Sequence, residues 1–65
     1  MEPVFRVSRV AEHDELGARL GVPPREAWRL IERRRIEFFR VGRRVLVSEG
    51  AVQRFIEAHT TAAVG

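Results

Sequence analysis

Gly21-Val22-Pro23-Pro24-Arg25-Glu26-Ala27-Trp28-Arg29-Leu30-Ile31-Glu32-Arg33 is the stretch on which the fold of this chain turns. Its glycine ends whatever precedes it. A proline in a first turn is compatible with a new helix, because its missing N–H would be unpaired there in any case. From there Ala27, Trp28, Leu30 and Ile31 share one side while Arg25, Glu26, Arg29, Glu32 and Arg33 share the other, which is the helical period. The spacing predicts a helix running to about Arg33. Upstream, Glu12-His13-Asp14-Glu15 concentrates acid where a helix begins, and Leu16 and Leu20 stand four apart with Gly21 as a stop. That reads as a first helix of about two turns. Two helices joined by a three- or four-residue turn containing glycine form a helix-turn-helix pattern.

Beyond Arg33 the period changes to two. From Ile36, Phe39 and Val41 alternate with Phe38 and Arg40, Gly42-Arg43 forms a turn, and Val45 and Val47 alternate with Arg44 and Leu46. This predicts a β-hairpin, with a turn signal weaker than Asn-Gly. Ser48 as N-cap and Glu49 as first-turn acid open a third helix, which carries Val52, Phe55 and Ile56 at helical spacing. Residues 4–11 are β-branched and roughly alternating, a short strand or extended arm; the alternative is a helix capped by Ser8. The expected fold is α+β, a small winged helix-turn-helix of three helices and a two-stranded hairpin wing, with a further N-terminal strand left open. Residues 1–11 are the arm, 12–59 the domain and 60–65 a flexible tail.

Sixty-five residues make at most one domain, and a chain this short buries about 60% of the surface its unfolded form exposes. With no cysteine and only His13 and His59 far apart, neither a disulfide nor the spacing of a structural zinc site is available. Packing must suffice, and no metal or cofactor is expected. No apolar run approaches the roughly 20 residues needed to cross a bilayer, and Glu2-Pro3 stands where a signal peptide would be basic. A cytoplasmic protein away from membranes is the expectation.

Charge divides the chain. Residues 25–44 hold eight arginines against three glutamates, a net of +5, whereas the remainder holds four arginines against six acids, a net of −2. One face therefore attracts polyanions. All twelve basic residues are arginine, which suits bidentate phosphate and guanine contacts, but codon bias is the simpler explanation of that choice and the clustering carries the argument. In a helix-turn-helix the second helix enters the major groove of DNA, which assigns Arg25, Glu26, Arg29 and Arg33 to a reading face. Arginine donates to guanine or phosphate, and Glu26 accepts from cytosine. The plainer alternative is a solvated face tied by Glu26 or Glu32 ion pairs. Arg40, Arg43 and Arg44 on the hairpin suit phosphate or minor-groove contact. Arg33, Arg34 and Arg35 also sit where cations meet the negative end of the helix dipole. Trp28 falls on the buried stripe; the alternative is an indole edge giving its N–H to a phosphate. Neither histidine nor serine has a partner at catalytic spacing, so no enzyme is expected.

With those residues in hand, the chain resembles the excisionase family of small winged-helix proteins, relatives of the DNA-binding domains of MerR-type regulators. The resemblance runs from Glu12 to Ile56 and rests on Leu20-Gly21-Val22, Trp28-Arg29-Leu30-Ile31, Arg40-Val41-Gly42-Arg43-Arg44, and Ser48-Glu49 followed by Phe55. It implies that Arg25, Glu26 and Arg29 lie in the major groove and that Arg43 and Arg44 reach the minor groove or its phosphates. The chain departs from the family pattern at Pro23, where a Ser or Thr cap is usual, and at Arg34, where glycine commonly ends the helix. The family implies double-stranded DNA, an integrase and further copies of the protein as partners. One module of this size reads few base pairs and must act in copies. A small repressor or activator is the second expectation, and a protein–protein adaptor using the apolar hairpin and third helix is the third.

Overall fold

The structure, a computed structural model, describes residues 2–59; the expected tail at 60–65 lies outside the described residues. In chain order it contains β1 (Val4–Val7), a 3-10 turn (Ala11–His13), α1 (Leu16–Leu20), α2 (Pro24–Glu32), β2 (Phe39–Val41), β3 (Arg44–Ser48) and α3 (Glu49–His59). Both flanking strands run antiparallel to β3 in the order β1-β3-β2. The wing is therefore three-stranded. The arm is its third strand, with Val7 opposite Val45 and Phe5 opposite Val47. This settles the N-terminal segment as a strand. Ser8 caps no helix but accepts the Val10 N–H at 3.1 Å.

The hydrophobic pattern does its work through β3. Val45 and Val47 point inward and are buried, against Leu16 of α1, Ala27 and Ile31 of α2, and Ala51 and Val52 of α3. Val7 and Ile36 complete the cluster, which contains no polar side chain among the described residues. The turn at Gly42-Arg43 has positive φ at its first central residue only, with Val41 opposite Arg44. That is the type II′ arrangement, which matches strand twist and favours glycine at that position.

Two boundaries within the domain differ from the sequence reading. The first helix is shorter: Asp14 is extended, its Oδ1 accepts the Gly17 N–H at 3.2 Å, and the preceding residues close only a 3-10 turn. This is the geometry of an N-cap, so the helix starts after Asp14 and the acids before it stay outside. The second strand starts at Phe39 instead of Ile36, because Ile36 plugs the core and directs the chain sideways before pairing begins. Between α2 and β2 the helix ends in a Schellman motif, the Arg35 N–H bonding to the Leu30 carbonyl at 2.9 Å and the Arg34 N–H to that of Ile31 at 3.1 Å. Arg34 occupies the left-handed position at φ +52°, where glycine is normal. α3 begins as expected: Ser48 Oγ accepts the Ala51 N–H at 3.1 Å.

Arg19 and Glu49 clamp α1 to the start of α3 through two bonds, Nε to Oε1 at 3.1 Å and Nη2 to Oε2 at 2.9 Å. The N-terminal segment docks beside them, with the Glu49 N–H bonding to the Pro3 carbonyl and the Gly50 N–H to Glu2 Oε1. The Arg19 guanidinium, aided by the Gln53 amide, holds the Glu49 carboxyl below the usual carboxylate range. A lowered folded pKa contributes stability that is present above the unfolded value of about 4.3 and is lost as pH falls through the folded value. Glu49→Gln should therefore lower the melting temperature at neutral pH and flatten its fall on acidification. Thermal melts between pH 3 and 7 check this; an acid limb as steep as wild type would take Glu49 out of the balance.

Arg34→Gly should raise unfolding free energy by about 0.5 to 1 kcal/mol, the relief of left-handed strain less the added freedom of the unfolded chain. Arg34→Ala removes the charge and keeps the strain, so it should not stabilise. Urea midpoints at unchanged m distinguish the two.

Candidate nucleic-acid interface

α2 is the element that sets the site. Its N-cap is Pro23, which makes no side-chain cap bond; the Pro23 carbonyl instead accepts the Glu26 and Ala27 N–H groups at 3.0 and 3.2 Å. Pro24 at the first helical position has no N–H to leave unpaired. The missing Ser or Thr is thus made good by backbone alone. Burial of Ala27 and Ile31 turns the opposite side outward, and Arg25, Arg29 and Arg33, four apart, form one exposed stripe along it.

Glu26 sits to one side of that stripe and is half-buried. Its Oε1 lies 3.4 Å from Arg29 Nη1, an ordinary exposed pair. The structure therefore shows the local ion pair, with Arg29 still on the exposed surface and free to exchange partners at little cost. Trp28 lies on the other flank, half-buried and packed against the core.

The wing divides its arginines. Arg43 and Arg44 face a cleft shared with Trp28 and with Arg6 and Arg9 of the N-terminal arm. Arg40 lies instead beside Arg34 and Arg35 in a depression between the end of α2 and β2. By sequence Arg40 belongs with the hairpin tip; its place opposite Val45 sets it back from the tip, at the elbow. Arg6 and Arg9 are the residues that sequence reasoning misses. Their basic side chains in an alternating segment are the available signal, but only β1 pairing with β3 brings them to the wing.

The decisive feature is where the carboxylates go. Among the described residues Arg9, Arg19 and Arg54 pair with Glu32, Glu49 and Glu37 respectively. All eight arginines of residues 25–44 are exposed, and among the described residues only Arg29 forms an ion pair. Seven guanidinium groups on one helix, its elbow and the wing are left without a counter-charge among the described residues. In the free protein they repel one another, and a polyanion relieves that repulsion.

A short helix, a glycine turn and a second helix with an exposed arginine stripe, flanked by a basic wing, define a DNA-binding helix-turn-helix protein of the small winged type. The sequence pattern of the helix-turn-helix domain family matches residues 13–60. The chain belongs to that family, and DNA is its partner. No curated protein and no solved structure matches the chain. Among the described residues, no helix is long and apolar enough to cross a membrane.

Changing Arg43 and Arg44 together to alanine should weaken binding to specific and random duplexes alike. The dependence of log affinity on log salt should become shallower by about one unit for each phosphate no longer neutralised. Fluorescence anisotropy over a salt series reads this directly, and an unchanged slope would remove the hairpin tip from the interface.

Proposed function

We propose that this protein is an excisionase-like architectural factor of the cytoplasm, which binds several neighbouring sites on duplex DNA, bends them and directs an integrase toward excision. It acts by binding and not by catalysis. The observation that carries this reading is the set of seven unpaired arginines spread over α2, the elbow and the wing among the described residues. That is a long phosphate-contacting surface around a short reading stripe. Phosphate contacts position a protein and help it hold deformed DNA, whereas base contacts select the site. A module with three arginines on its reading stripe selects weakly alone, and specificity has to come from copies placed side by side.

Contacts between neighbours would draw on the face of the sheet that points away from the core. Register places Phe39 opposite Leu46 and Val41 opposite Arg44, and it puts Val4 on the same face at the far end. Phe39, Val41 and Val4 are each more than two-fifths exposed. Arg6 and Arg44 share that face, so a neighbour would meet apolar side chains interrupted by two cations beside the basic tip.

Gel shifts on duplexes carrying one, two and three sites, with sedimentation of the free protein, test the proposal. Expected are a monomer in free solution, cooperative filling of adjacent sites, and retarded mobility of centrally bound fragments from bending. A symmetric dimer in solution with independent filling would instead make the protein a conventional small transcriptional regulator.

A further inference from the structure

The indole of Trp28 has a buried Nε1–H that meets no acceptor among the described residues. Leaving such a donor unmade costs about 1 to 3 kcal/mol, so its persistence in the middle of the recognition helix calls for a use. Trp28 borders a cleft of about 470 Å³ between α2, the N-terminal arm and the wing, to which Arg6, Ser8, Arg9, Arg43 and Arg44 also contribute. No carboxylate lines it among the described residues. The neighbouring depressions differ, since Glu37 lines the one at the elbow and Glu12 and Glu15 the one on the outward face of the sheet. Ser8 Oγ accepts the Val10 N–H, which leaves its own O–H free to donate. Every polar residue lining this space thus carries a donor.

Position adds to chemistry. A recognition helix in the major groove and a wing at the adjacent minor groove straddle the phosphodiester strand that separates the two grooves. That strand must pass over the space between α2 and the wing, which is this cleft. We propose that one DNA backbone phosphate seats there, taking a hydrogen bond from Trp28 Nε1–H and charge from Arg9 and Arg43. The inference rests on the DNA-binding reading above and deepens it by naming a contact made by a neutral donor. Arg9 is the moving part. Its guanidinium lies 5.2 Å from the centre of the Trp28 ring, and its pair with Glu32 is long, 3.6 Å between two exposed groups. On binding, Arg9 exchanges Glu32 for the phosphate and uncovers the indole edge.

The test uses the whole chain and random-sequence duplex DNA. Trp28→Phe keeps an aromatic ring and removes the N–H. It should melt no lower than wild type, bind about tenfold more weakly, as removal of a hydrogen bond to a charged group requires, and keep the wild-type salt slope because the deleted donor is neutral. Arg9→Gln should instead make the slope shallower by about one. Wild-type protein holds a single tryptophan, so its one indole N–H resonance should move downfield and exchange more slowly as duplex is added. If that variant does not fold, this resonance decides alone. Wild-type affinity in folded Trp28→Phe, or an indole signal unmoved at saturating DNA, overturns the phosphate seat while DNA binding stands. Failure of the wild type to bind duplex at all would overturn the broader reading instead.

Discussion

Val45 and Val47 on β3 are the side chains against which everything else is arranged. β3 is hydrogen-bonded on both sides, so its two buried valines fix which face of the sheet meets the helices. A slip of one residue would send Arg44 and Leu46 inward. Once the register stands, α2 must lay Ala27 and Ile31 on that face, and the arginine stripe is carried outward with no further choice. The type II′ turn then sends Arg43 and Arg44 out at the end of the same strand. The interface is thus a by-product of burying a handful of small apolar groups.

Most of this is legible in the residues themselves. The outward side of α2, the turn at Gly42-Arg43, the Ser48 cap and the alternation of Val45 and Val47 follow from local chemistry, and each is present. What cannot be read is non-local. That β1 pairs with β3, and so brings Arg6 and Arg9 beside the wing, depends on residues about forty apart meeting in register. The late start of α1 is hidden because Glu12, Asp14 and Glu15 all suit a helix start and only the structure shows that Asp14 supplies the cap bond. Arg34 shows the middle case. Its departure from the family's glycine marks the end of α2 as unsettled, but only the backbone shows that the left-handed turn is kept with arginine in it.

Charge is handled differently at the two ends of the molecule. Carboxylates are placed where they fasten elements together: Glu49 to α1, Glu37 to α3, Glu32 to the arm. Little remains to neutralise the DNA side. A left-handed arginine at the elbow fits the same division, since it accepts backbone strain at a position where glycine would relax it and adds a cation to the basic surface. Strain and like-charge crowding both lie on the basic surface, while Arg19 and Glu49 tie down the opposite end. Arg9 and Arg29 are the exceptions, each paired with a glutamate of α2 and exposed on the basic side.

Both outer strands of the sheet are short and each carries an arginine within it, Arg6 in β1 and Arg40 in β2. β2 is otherwise Phe39 and Val41, exposed and β-prone, at the edge of the sheet. A strand of that composition without its charge is a template on which further chains stack sheet to sheet. Arg40 is the gatekeeper in the middle of it. Whatever it contributes on DNA, its cation opposes the stacking of further chains through that edge and so guards the free protein against fibril growth.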